Sequence, residues 1–331
     1  MSTGPNSQTV LITTAYLRPG DEISRNLERI GCAVEHAPDL DLLEPGERDR
    51  LIARADAIIA GTRPLTAEHL AQARRLRVIV RTGVGFDSVD IAAATRLGIP
   101  VCVTPGVNRR AVAEHVFALA LAHSRNIVGS AAQLSVGEWH QPTGRELAGR
   151  TLGIVGLGSI GREVARIATA FDLNVIAHDP HLDHEYARSR GIESACLSDL
   201  LRRADIVTLH LYLNDETRNL INAQALATMR SHALIINTAR GGLVDEAALA
   251  AAVRSGTIGG AAVDVFAEEP PPPTSPLRGV DGILMTSHIA GATLEARATA
   301  SAMAAETVIA ALGGSVPPNL VNPDYARRAA S

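Results

Sequence analysis

Three side chains in the sequence could together act on a carbonyl compound: Arg240, Glu269 and His288. Each follows an apolar run of strand length. Ala233–Asn237 precedes Arg240, Gly260–Val265 precedes Glu269, and Ile283–Thr286 precedes His288. An imidazole can donate a proton to a carbonyl oxygen, or take one back from a hydroxyl. A carboxylate bonded to that ring would stabilise the imidazolium and fix its tautomer. A guanidinium offers a planar fork to an α-keto carboxylate, a match that an ammonium lacks. The run Pro270–Pro273 reads as stiff polyproline II, which would hold the Glu269 carboxylate in place. Singly, these residues read as a surface cation, a solvated acid and a core histidine. Jointly, at the ends of consecutive strands, they describe a site where a carbonyl could be protonated as it is reduced.

A hydride source is implied by Thr151–Pro180, TLGIVGLGSIGREVARIATAFDLNVIAHDP. An apolar run, Leu152–Val155, leads into Gly156-Leu157-Gly158-Ser159-Ile160-Gly161, the spacing G-x-G-x-x-G. Val164, Ile167, Ala168 and Phe171 then recur at helical spacing, and a second apolar run, Asn174–Ala177, ends in His178-Asp179-Pro180. Strand, glycine turn, helix, strand and acid in this order are the context that a dinucleotide fingerprint requires. Gly156, Gly158 and Gly161 would serve a tight turn, close approach to a pyrophosphate, and helix-on-strand packing. The helix opening at Ser159 would turn its free N–H groups to the phosphates. Asp179 is placed to bond a ribose 2′-hydroxyl and would repel a 2′-phosphate, and no Arg follows it at once. The expected cofactor is NAD. Asp264, on the strand before Glu269, is a candidate partner for the nicotinamide amide.

The elements needed to position these groups alternate along the chain. Runs at Thr9–Thr14, Ala33–His36, Ala57–Ala60, Val78–Val80 and Val101–Val103 read as strands. Asp21–Ile30, Arg50–Ala55, Thr66–Ala73 and Ile91–Leu97 read as helices between them. Alternation of this kind means a parallel sheet with crossover helices. Ligands in such sheets bind at the carboxyl ends of the strands. The loop Arg81–Asp90 lies at one of those ends, and Gly83 and Gly85 would leave N–H groups open to a carboxylate. Its plainer reading is an ordinary turn, with Asp87 and Asp90 complementing a helix dipole. Thr104-Pro105-Gly106 then punctuates the chain before one long helix, Ala111 to about Leu134. The loop after it carries Trp139, the only Trp, which reads as an interface or packing anchor. Further strands are expected at Asp205–Leu209 and at the three runs that end in the candidate site, with helices at Asn222–Met229 and Asp245–Arg254.

Composition bounds the alternatives. At 331 residues two domains are expected, and with 46% hydrophobic but only 3% aromatic residues the cores must be mostly aliphatic. A net charge of −4 with interspersed signs gives no nucleic-acid or membrane footprint. All 31 basic residues are Arg, which excludes Schiff-base and P-loop lysine chemistry. Cys32, Cys102 and Cys196 form no C-x-x-C and read as three buried small hydrophobes of a reduced, cytoplasmic protein. The N-terminal MSTGPNSQ reads as a loose tail rather than a signal peptide, and no apolar run reaches the length of a membrane span.

Seven stretches in order carry a resemblance over nearly the whole chain: RTGVGFDSVD, TPGVN with AVAEH, ELAGRTLGIVGLGSIGREVA, HLYLNDETRNLI, LIINTARGGLVDEAAL, AAVDVFAEEPPPPTSPL and MTSHIAGAT. The sequence resembles the D-isomer-specific 2-hydroxyacid dehydrogenases. The resemblance implies Arg240, Glu269 and His288 as the catalytic set. It implies cofactor contacts at Gly156, Gly158, Ser159, Ile160, Gly161, Asp179, Leu211, Thr238, Ala239, Asp264, Ala290 and Gly291. Val84 and Gly85 would hold the substrate carboxylate, and no metal is implied. The implied fold is α/β, with two doubly wound parallel-sheet domains. A Rossmann NAD-binding domain, 104–293, is inserted into a flavodoxin-like substrate domain formed by 1–103 plus 294–331, with the cleft at their junction. The Ala111–Leu134 helix and Trp139 loop resemble the arm through which such enzymes pair as homodimers.

RTGVGFDSVD and HDP are most similar to 3-phosphoglycerate dehydrogenases. A phosphorylated substrate wants extra cations, and only Arg63 and Arg81 stand out for it. No regulatory domain follows, and Tyr212 stands where the family commonly has Pro. The expected activity is therefore general D-2-hydroxyacid dehydrogenase, with phosphoglycerate as the specific alternative. An NAD-sensing corepressor-like scaffold is the alternative from another class.

Overall fold

The structure is a computed structural model that describes residues 7–327. The expected N-terminal tail lies, over residues 1–6, outside the described residues. The chain forms two compact units, Met1–Asn108 with Leu294–Ser331, and Arg109–Thr293.

The first unit holds five strands: β1 (Thr9–Ile12), β2 (Ala33–His36), β3 (Ala57–Ala60), β4 (Val78–Arg81) and β5 (Val101–Cys102). They form a parallel sheet in the order β2-β1-β3-β4-β5. β3 and β4 are buried throughout, which is why they read as unbroken apolar runs rather than alternating ones. The late segment completes this unit. Ala304, Ala305, Val308, Ala311 and Leu312 of the helix Leu294–Leu312 pack into the core with Val10, Ile12, Ala57 and Val80. Arg77 donates to the carbonyls of Leu312 (2.9 Å) and Ala311 (3.1 Å), and Asn322 Oδ1 accepts the Val101 N–H at 2.7 Å.

The second unit holds β6 (Thr151–Val155), β7 (Asn174–His178), β8 (Glu193–Ser194), β9 (Ile206–Leu209), β10 (Leu234–Asn237), β11 (Gly260–Val263) and β12 (Ile283–Met285). All pair in parallel, in the order β12-β11-β10-β9-β6-β7-β8. The order reverses between β6 and β9, so the glycine turn after β6 opens at the topological switch point. Val155, Val207, Ile235 and Val263 line one face of the sheet, while Ile154, Ile206, Ile236 and Ala262 line the other. Packing is mostly aliphatic; Phe117 and Phe171 stack with ring centroids 5.1 Å apart, and Phe266 joins the core on the other face.

Several helices begin where the sequence supplies a side-chain cap. Asp90, Asp183, Asn222 and Asp245 each accept an N–H from the first turn that follows. Two expectations need correction. The helix expected over Ala111–Leu134 is two helices, Arg109–Ser124 and Ile127–Ser135. Asn126 separates them at φ 49°, in the left-handed conformation that Asn tolerates better than most residues. Cys196 is exposed rather than buried, because it precedes the helix Leu197–Arg203 and turns its thiol to Ser198 Oγ (3.3 Å). Cys32 and Cys102 are buried, and burial pushes the Cys102 thiol up to about 12.

Both sheets are tied at their entrance in the same way. Asp56, before β3, accepts the Thr9 N–H of β1 at 2.8 Å, and Asp205, before β9, accepts the Thr151 N–H of β6 at 2.8 Å. Asp205 also receives Arg230 Nη1 (2.8 Å) and His232 Nε2 (2.7 Å). Burial pushes its carboxyl up. The bonds from His232, the Thr151 N–H and Arg230 outweigh burial and hold it below the usual carboxylate range. A depressed folded-state value stabilises the fold above the unfolded carboxylate's range, and that stabilisation is lost as pH falls through the folded one. Asp205→Ala should therefore cost about 2 kcal/mol in urea denaturation at neutral pH, and the difference from wild type should shrink toward about pH 3.

Candidate active site

The glycine turn has the shape its spacing implies. Gly156 sits at φ 101°, and a Cβ there would meet the His210 carbonyl carbon at 2.7 Å, so no other residue fits. A Cβ on Gly161 would overlap the Gly156 carbonyl oxygen, which sets how closely the following helix approaches the turn. Gly158 has open space around its Cα. The helix Ser159–Ala170 starts there without any side-chain cap, which leaves its first N–H groups for an anion. Asp179 braces the turn: one carboxylate oxygen accepts the Leu157 N–H (2.7 Å) and the other the His181 N–H (2.8 Å). Each oxygen keeps a further lone pair for a hydroxyl. At the end of β10, the buried Thr238 Oγ1 has no hydrogen-bond partner. An uncapped helix, an open glycine, a braced acid and an orphaned hydroxyl fit a dinucleotide.

Leu211 and Tyr212 follow β9. Tyr212 is 66% exposed, and its carbonyl accepts the Thr217 hydroxyl at 2.7 Å. His210, before them, is bonded to Thr208 Oγ1 (3.0 Å), and burial pushes its imidazole down to about 3. It is neutral at physiological pH and stands as a structural histidine.

His288 and Glu269 meet. His288 Nδ1 lies 2.7 Å from Glu269 Oε2, while Glu269 Oε1 accepts the Phe266 N–H at 3.0 Å. An ionised carboxylate only accepts, so Nδ1 carries the proton of this bond and Nε2 is the nitrogen left to exchange a proton elsewhere. Burial pushes the Glu269 carboxyl up. Its bond to His288, the imidazole charge, the Phe266 N–H and the Arg240 cation outweigh burial and keep it below the usual range. Arg240 comes from the neighbouring strand end. Gly241 brings its loop against the backbone of Phe266 and Ala267, where any Cβ would overlap Phe266. Asn237 fixes the turn between, donating to the Arg240 carbonyl (2.9 Å) and accepting the Ala239 N–H (3.1 Å). What holds Glu269 is therefore the Phe266 N–H and the imidazole. The proline run after it is held by Arg278, which donates to the carbonyls of Pro271 (2.6 Å) and Pro272 (2.9 Å).

Asp264 is fully buried. Its carboxylate accepts the Thr286 hydroxyl (2.6 Å), the Ile289 N–H (2.9 Å) and the Ala290 N–H (2.8 Å), and its carbonyl accepts the His288 N–H (2.8 Å). The side chain faces the protein's own donors rather than solvent. Gly291 follows this braced segment.

In the first unit, Arg81 is buried and organises the Val84-Gly85 loop. Its Nε donates to the Gly85 carbonyl (3.0 Å), and its Nη1 donates to the carbonyls of Ala60 (2.7 Å) and Gly61. Arg63 pairs with Asp39 (2.9 Å) and Asp41 (3.1 Å). Asn237 and the bracing role of Arg81 escape a reading of strand-end chemistry. The signal for Asn237 was a polar residue closing the apolar run ALIIN. Gly161→Ala should cost about 1–3 kcal/mol of stability and weaken NADH binding, as unfolding and fluorescence titration would record.

A family model described as D-isomer specific 2-hydroxyacid dehydrogenase, NAD binding domain, matches residues 117–290. A glyoxylate reductase of Aeropyrum pernix is 42% identical over 85% of this chain and 88% of its own. A D-3-phosphoglycerate dehydrogenase of Methanocaldococcus jannaschii is 41% identical over 89% of this chain, which spans only 56% of that relative's length. The crystal structure of D-lactate dehydrogenase from Aquifex aeolicus, complexed with NAD and lactic acid, has a TM-score of 0.84, 26% identity, and coverage of 95% of this chain and 99% of its own. The chain belongs to the D-isomer specific 2-hydroxyacid dehydrogenase family, NAD-dependent oxidoreductases acting on 2-hydroxy acids.

Proposed function

We propose that this chain reduces short, unphosphorylated 2-keto acids to D-2-hydroxy acids, with His288, Glu269 and Arg240 as the reacting set. The observation that carries the reading is the 2.7 Å His288–Glu269 bond at the carboxyl edge of the parallel sheet, beside the Arg240 loop. When bound, the nicotinamide supplies a hydride for C2 of the substrate. His288 Nε2 gives its proton to the carbonyl oxygen as that oxygen becomes an alkoxide, and in the reverse direction takes it back. Glu269 fixes the tautomer and stabilises the imidazolium. Arg240 grips the carboxylate by its fork.

Two observations favour an unphosphorylated substrate over phosphoglycerate. Arg63 is already neutralised by Asp39 and Asp41, and the Arg81 guanidinium is committed to backbone carbonyls. Asp179 supports NAD over NADP, as does Arg162, which pairs with Asp183 (3.0 Å) and stacks on Tyr186 (4.0 Å). The helix Ile127–Ser135 buries none of its residues, and Ile127, Val128, Leu134, Val136 and Trp139 are exposed, Trp139 by 78%. Such a strip supports pairing as a homodimer through the NAD-binding domain. Free Cys32 and Cys102 support a cytoplasmic location, and no helix among the described residues is long and apolar enough to cross a membrane.

A steady-state panel of glyoxylate, hydroxypyruvate and its phosphorylated ester, each with NADH and NADPH, tests the reading. Turnover should be fastest with NADH and an unphosphorylated acid. His288→Ala should lower kcat by about 10²–10⁴ with NADH affinity unchanged, and Arg240→Lys should raise the keto-acid KM by about tenfold or more. Tight NADH binding without turnover of any keto acid would support the scaffold reading instead.

A further inference from the structure

His115 stands on the helix Arg109–Ser124 and reaches Thr286, two residues before His288. Its Nε2 lies 3.3 Å from Thr286 Oγ1 and 3.7 Å from Asp264 Oδ1. The direction of these bonds follows from elementary chemistry. The Asp264 carboxylate can only accept, so the single proton of the Thr286 hydroxyl is committed to Oδ1 at 2.6 Å. The Thr286 oxygen can then only accept from His115, and Nε2 must carry a hydrogen. The ring thus donates to the hydroxyl that bonds Oδ1, the oxygen that also accepts the Ile289 N–H, while Oδ2 accepts the Ala290 N–H.

That carboxylate grips the segment 288–290. His288 itself sits at φ 55°, in the left-handed region that few residues other than Gly adopt. It is held there by the bond from its N–H to the Asp264 carbonyl and by the two that follow it onto the Asp264 carboxylate. A buried anion keeps such a grip only while its remaining lone pairs are satisfied. We propose that His115 is a positioning residue: through Thr286 it anchors the Asp264 carboxylate and so holds the His288 imidazole in the orientation that lets it exchange protons with substrate.

This rests on the assignment of His288 as proton donor, and the test separates the two. The full-length protein is assayed with glyoxylate and NADH, with kcat, KM, NADH affinity and thermal midpoint measured for each variant. His115→Leu should lower kcat about tenfold while NADH affinity stays within about twofold of wild type. His115→Gln, which restores an N–H donor at the same reach as Nε2, should recover most of that kcat. Thr286→Val should reproduce the loss, and the His115→Leu/Thr286→Val double variant should be no slower than Thr286→Val alone, because both act along one path. Wild-type kcat in His115→Leu would overturn the inference. So would equal losses in the Leu and Gln variants, or losses that multiply in the double variant. If His288→Ala itself kept near-normal turnover, the proton-donor assignment would fail first.

Discussion

Asn237, Val263 and Met285 lie in one row across three adjacent parallel strands, and the site depends on that register. Arg240 and His288 each stand three residues past their member of the row, and Glu269 stands six past Val263. Parallel strands place all their carboxyl ends on one edge, so three residues separated by nearly fifty positions arrive together without any local motif joining them. The register is secured by burial. β10 and β11 are buried at every position, and a slip of one residue would exchange the two faces of the sheet. Gly241 then closes the remaining gap between the first two loops by leaving room for the Phe266 backbone.

Charge is arranged on this edge in two depths. At the surface, Glu269 and His288 are each about one-third exposed, so the pair can gain and lose a proton. Beneath it, Asp264 is closed off and spends its carboxylate on backbone N–H groups and a hydroxyl. A buried carboxylate without those donors would be costly, and with them it becomes a rigid post for the segment that bears the imidazole. The same use of a buried acid recurs at the opposite edge of both sheets, where Asp56 ties β1 to β3 and Asp205 ties β6 to β9.

Much of this was legible from residue order. Fully buried parallel strands appear as short apolar runs, and AIIA, ALIIN and LGIV coincide with β3, β10 and β6 to within a residue. The helices read from Ile91, Asn222 and Asp245 start within a residue of where Asp90, Asn222 and Asp245 cap them, because a cap is a local interaction. Where the outcome depends on a single backbone torsion or on distant packing, the reading failed. The left-handed turn at Asn126 interrupts a pattern whose periodicity continues across it, and Cys196 is exposed because it stands at the start of the helix Leu197–Arg203, a position that its residue type does not announce. Arg240, Glu269 and His288 could be singled out because each lies in the loop that follows a strand. The work of Asp264 and His115 could not, since a carboxylate turned inward and a helical histidine acquire meaning only when Thr286 comes between them.

The central claim is that the Glu269 carboxylate stabilises the protonated His288 from which the substrate takes its proton. The most direct measurement is the pH dependence of kcat/KM for keto-acid reduction in wild type and Glu269→Gln. Reduction consumes the imidazolium, so its rate should fall as pH rises. Without the carboxylate the imidazolium is less stable, and the fall should come at lower pH, with a smaller maximum. Superimposable profiles for the two proteins would contradict the account.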